Sequence, residues 1–161
     1  MRGRWIDEIV ADDAVKQAQA EARASKDKAA RLTVESNAPA FMVELRAALE
    51  ADVESLSELG IRGAVCANRS KFENHYHVDV ALIGIIPTQT YTDIRQTTGE
   101  PSIRCCTREN KAFRLHLAVS PDGKGICAYA EKAQLEPMNP VETAEFILRP
   151  MVEWVRDHGA V

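Results

Sequence analysis

The residues best placed to do chemistry are His75-Tyr76-His77-Val78-Asp79. In an extended strand, successive side chains alternate between faces, so both imidazoles and the carboxylate share one side. Two histidines two apart on a strand can converge on one metal ion, and a third ligand with a water would complete a hydrolytic zinc-type site. His116, on the polar side of another candidate strand, is the only other histidine that could join them from within the sheet. Hydration of a solvent-facing strand is the commoner fate of such residues, and no resident metal or cofactor is expected.

The same polar side could instead hold an anion. Arg104, Arg108, Arg114, His75, His77 and His116 would gather there if their strands adjoin, and arginine forks match carboxylate and phosphate oxygens. The candidate ligand-binding set is therefore His75, His77, Asp79, Arg114 and His116. Cys106 shares a face with Arg104 and Arg108, which would favour its thiolate. Cys105 beside it points the other way, so the two do not chelate one ion. Cys66, Cys105, Cys106 and Cys127 form no C-x-x-C pair, and they read as reduced thiols in strands. There is no Gly-x-Ser-x-Gly elbow. Pro121-Asp122-Gly123-Lys124-Gly125 lacks the spacing of a phosphate loop and reads as a hairpin turn.

The elements that must position these residues follow from periodicity. Residues 6–31 are Ala-rich and helical, but their apolar stripe is thin. Ser36 and Asn37 are capping types, and Pro39 suits a first turn, so a second helix is expected from Pro39 to Leu59. Phe41, Met42, Leu45, Ala48, Leu49, Val53, Leu56 and Leu59 lie on its inner face, and Gly60 stops it. Strands are expected over Ile61–Ala67, His75–Ile86, Ser102–Arg108, Lys111–Val119 and Ile126–Ala133. Beyond Leu82 the strand is apolar on both sides, so that end should be covered twice. Pro87–Pro101 reads as an irregular connection holding a short strand or helical turn at Thr90–Ile94. Asn139 should cap a last helix over Val141–His158, bent at Pro150.

The fold class is therefore α+β: two N-terminal helices, a mainly antiparallel sheet of four or five strands, and a C-terminal helix packed on one sheet face. Residues 1–36 form an Ala-rich helical segment, partly detached, and residues 37–161 a single α+β domain. The element order resembles that of secretion-chaperone-like and lipid-binding helix-grip scaffolds. That likeness rests on order alone and assigns no residue a role.

At 161 residues the chain can bury its own core, and 45% apolar with 27% charged residues is ordinary for a globular protein. Residues 1–60 hold 8 Lys/Arg and 12 Asp/Glu, a net of −4. Residues 61–125 hold 9 and 6, a net of +3, and residues 126–161 hold 3 and 6, a net of −3. The overall −4 and the 6% aromatic content argue against nucleic acid as a partner. No run reaches membrane-spanning length and no apolar leader core is present, which points to the cytoplasm. The expected function is a small non-enzymatic domain that binds a protein or ligand, with a protein partner or homodimer on its open sheet face or N-terminal helix. The alternative is a metal-dependent enzyme using the His-x-His motif with His116.

Overall fold

A computed structural model of the chain describes residues 3–84, 88–131 and 136–159. One helix, α1 (Arg4–Ser55), runs 52 residues, about 78 Å at the standard rise. A single 3-10 turn, Leu56–Leu59, ends it, and Gly60 closes that turn in the left-handed conformation at φ 70°. Six strands follow: β1 (Ile61–Arg69), β2 (Glu73–Leu82), β3 (Thr88–Thr97), β4 (Ser102–Thr107), β5 (Ala112–Val119) and β6 (Ile126–Ala130). The last helix is α2 (Pro140–Gly159). The strands lie in the order of the sequence and every neighbour is antiparallel.

The expected pair of N-terminal helices is thus one helix. Ser36 and Asn37 do not cap a new start. Asn37 Nδ2 donates back to the Thr33 carbonyl at 2.7 Å, and Thr33 Oγ1 to the Ala29 carbonyl at 3.0 Å. Side chains that can cap can also bond one turn back, and here they do the latter. Pro39 then falls inside the helix, on its exposed side.

The sheet has six strands rather than four or five. The sixth is β3, in the connection expected to hold a short strand or helical turn at Thr90–Ile94; it is a full strand of 10 residues. Its core-facing residues are Thr88, Thr90, Thr92, Ile94 and Gln96, all buried. Threonine is β-branched and suits a strand, but its hydroxyl hides the alternation from a hydropathy count. Ile83, expected to be covered on both sides, is 63% exposed. The ends of the strands expected over His75–Ile86 and Ile126–Ala133, at residues 85–86 and 132–133, lie outside the described residues.

One face of the sheet carries the core. Val34, Ala38, Phe41, Met42, Leu45, Leu49 and Val53 of α1 pack there, with Ala144, Ile147, Leu148, Met151 and Val155 of α2 beside them. They meet Tyr76, Val78 and Val80 of β2, Ile94 of β3, Ile103 and Cys105 of β4, and Leu115 and Leu117 of β5. The Tyr76 hydroxyl donates to the Met42 carbonyl at 2.9 Å, which satisfies a buried polar tip. Gly63 lets α1 close on β1, because a Cβ there would lie 2.6 Å from Val53 Cγ1. Asn139 and Glu142 cap α2 reciprocally: the Glu142 amide donates to Asn139 Oδ1 at 2.8 Å and the Asn139 amide to Glu142 Oε1 at 3.2 Å.

Only the second part of α1 enters this core. From Arg4 to Leu32 every residue except the half-buried Ile6 is exposed, and the first buried residue is Val34. Among the described residues, no helix is long and apolar enough to cross a membrane.

Candidate functional site

Among the described residues no helix covers the opposite face of the sheet, and this face holds the residues singled out above. Strand register arranges them in rows. One row reads Cys66, His77, Asp93, Cys106, Ala112 across β1 to β5. The next reads Asn68, His75, Arg95, Arg104, Arg114. A third pairs Ser102, His116 and Tyr129 on β4, β5 and β6.

Asp93 joins the two histidines. Its Oδ1 accepts from His75 Nε2 at 2.9 Å and from His77 Nδ1 at 2.9 Å. The other nitrogen of His77, Nε2, lies 3.1 Å from Asp79 Oδ1, which also receives Gln89 Nε2 at 3.5 Å. Tyr91 lies against the His77 ring, with centroids 5.0 Å apart. With a carboxylate on each nitrogen, His77 is best satisfied as an imidazolium donating twice. Its pKa is accordingly raised above 6.5: the hydrogen bond to Asp93 contributes most, loss of hydration comes next and opposes it, and the charges of Asp79 and Asp93 add to the rise. Desolvation alone would raise Asp93, but the hydrogen bonds from His75 and His77 outweigh it and hold its carboxyl below the usual range. A ring donating at both nitrogens offers a metal no lone pair.

His116 does not reach this cluster. Two strands separate β5 from β2, so about 14 Å lies between their axes. Its Nε2 faces Glu131 Oε1 at 3.7 Å instead. The grouping of His75, His77, Asp79 and His116 around one ion is therefore corrected by strand order. No group of three or more His, Cys, Asp or Glu among the described residues could hold a metal ion.

The arginines do come together, with one exchange. Arg95, which periodicity missed because it sits on β3, stands between His75 and Arg104, and Arg104 stands opposite Arg114. Arg95 faces Glu73 at 3.6 Å and Arg104 faces Glu100 at 3.9 Å, both long for charged pairs. Arg104 also donates to Thr97 Oγ1 at 3.1 Å. Arg114 has no ion-pair partner among the described residues. The three guanidinium groups line a shallow depression of about 610 Å³, floored by Cys106 and Ala112 and edged by Asp93 and Glu131. Arg108 is committed elsewhere, donating to the Gln89 carbonyl at 2.6 Å.

Cys106 is exposed on this face, while Cys105 is buried and pushed up to about 12 by burial. The residues that sequence reasoning missed, Tyr91, Asp93 and Arg95, all belong to β3. The signal for them was the period-two run of threonines at 88, 90 and 92. No family model, no curated protein and no solved structure matches this chain.

Proposed function

We propose that this is a small, non-enzymatic, cytoplasmic binding domain that takes an oxyanionic ligand, a phosphate or carboxylate group, on its open sheet face. The observation that carries the proposal is the cross-strand row Arg95, Arg104, Arg114. Like charges directly opposite on a sheet oppose one another. An anion bridging them would relieve that repulsion and would satisfy N–H donors that their own acidic neighbours reach only at long range. The acids nearby do not cancel the row: Asp93 is occupied by two histidines and Glu131 faces His116. Four free thiols fit a reducing compartment.

A metal-dependent enzyme would need a third ligand beside His75 and His77, and His116 lies too far along the sheet to supply it. Inorganic pyrophosphate is the probe of choice, followed by amide NMR. It is expected to shift the resonances of β3, β4 and β5 around the arginine row, and Arg104→Gln to weaken that response by roughly tenfold, the worth of one charged hydrogen bond. Pyrophosphate shifts that are absent, or unaffected by Arg104→Gln, refute the site.

A further inference from the structure

We infer that the exposed half of α1 pairs antiparallel with the same segment of a second copy of this chain. From Arg4 to Leu32 the helix, about 43 Å long, has almost no cover from its own body. It nonetheless presents apolar side chains to solvent, Val15 at 56% and Leu32 at 52% exposure among them. These two lie on one line with Ala11, Ala18, Ala22 and Ala29, in steps of four, three, four, seven and three. Such spacing averages 3.5 residues per turn, the repeat of a two-helix seam.

Charge identifies the occupant. Residues 4–15, the far end of the arm, hold Arg4 against Asp7, Glu8, Asp12 and Asp13, a net of 1 − 4 = −3. Residues 16–32, the end nearer the body, hold Lys16, Arg23, Lys26, Lys28 and Arg31 against Glu21 and Asp27, a net of 5 − 2 = +3. An antiparallel second copy lays each acidic end over a basic one. A parallel copy would lay acid on acid and base on base, so orientation is chosen by repulsion as well as attraction. The small residues of the seam allow close approach but bury little area, which leaves the charges to set register and strength. This surface is remote in sequence from the arginine row and stands independently of it.

Sedimentation equilibrium of the full chain at micromolar concentration tests the inference. The wild-type protein is expected at twice its 17.8 kDa chain mass. In 1 M salt, where charges are screened beyond about 3 Å, its dissociation constant is expected to rise by roughly tenfold or more. A variant with Lys16→Glu, Arg23→Glu, Lys26→Glu, Lys28→Glu and Arg31→Glu is expected at the mass of one chain. Adding Asp7→Lys, Glu8→Lys, Asp12→Lys and Asp13→Lys swaps the two ends, and this fully swapped chain is expected to dimerise again with itself but not with wild type. None of these positions is buried, so the thermal transition of the body is the control for folding and should be unchanged. A wild-type monomer overturns the inference, and so does a five-fold glutamate variant that remains dimeric. A swapped chain that pairs with wild type and not with itself shows a parallel dimer and overturns it equally.

Discussion

The carboxylates beside His77 favour its cationic form, and this has a consequence for stability. Its folded pKa is raised, so its contribution is fully present below the unfolded value near 6.5 and is lost as pH rises through the folded value. Asp93 works in the other sense. Its folded pKa is depressed, so its contribution is present above the unfolded carboxyl value and is lost as pH falls through the folded one. The two act together only in the mildly acidic window between. His77→Gln is therefore expected to flatten the fall in urea midpoint on the alkaline side of that window. The measurement is a series of urea melts across pH, and an undiminished alkaline fall in the variant would assign the effect to another group. At this scale the sequence showed both histidines and Asp79, and it placed them on one face. It did not show Asp93, the atom that makes a network of them, because Asp93 lies 16 residues away and only pairing of β2 with β3 brings it in.

Among the elements, α1 holds the clearest test. Pro39 sits inside a continuous helix with no N–H to give the Glu35 carbonyl one turn back, and it is exposed, so its ring adds no core packing. Pro39→Ala is expected to raise unfolding stability by about 1–2 kcal/mol, the helix-interior penalty of proline less the entropy it removes from the unfolded chain. Equilibrium urea unfolding measures it, and an unchanged or lowered midpoint would mean that the helix is broken or bent there. Ser36, Asn37 and Pro39 read as a helix start because the residue types that cap a helix can also bond back one turn, Asn37 doing so through Nδ2 where a cap would accept at Oδ1. What decides between them is whether the preceding turn is already helical, and the alanines before residue 31 make it so. The C-terminal helix was legible to within one residue at each end, since Asn139, Pro140 and Glu142 carry its cap within four residues. Strand β3 was legible only in its middle, and only as an alternative to a helical turn at Thr90–Ile94, because burial of threonine is a property of the interface with α2 and not of the strand's own composition.

For the whole molecule, the first buried residue is Val34, and the expectation that follows is that the arm and the body are separable in their energetics. A chain starting at residue 33 is expected to keep the thermal midpoint of the full protein to within about 2 °C, as removal of exposed residues changes stability little. Far-UV circular dichroism should lose helix in proportion to the arm. A fall of more than about 5 °C would show that residues before Val34 support the body after all.

By itself the sequence determined the class of fold, the antiparallel nature of the sheet, the core-facing residues of α1 from Phe41 to Val53, the limits of α2 to within one residue at each end and the hairpin at Pro121–Gly125. Each of these is written in local periodicity, short connections or capping chemistry, and each acts over a few residues. Tertiary structure alone decided the order of the strands. That order separates His116 from His75 and His77, sets Asp93 between those two, and lines up Arg95, Arg104 and Arg114. Periodicity tells which face a side chain takes. Which side chains then become neighbours depends on how distant segments share one buried surface, and no local pattern carries that information.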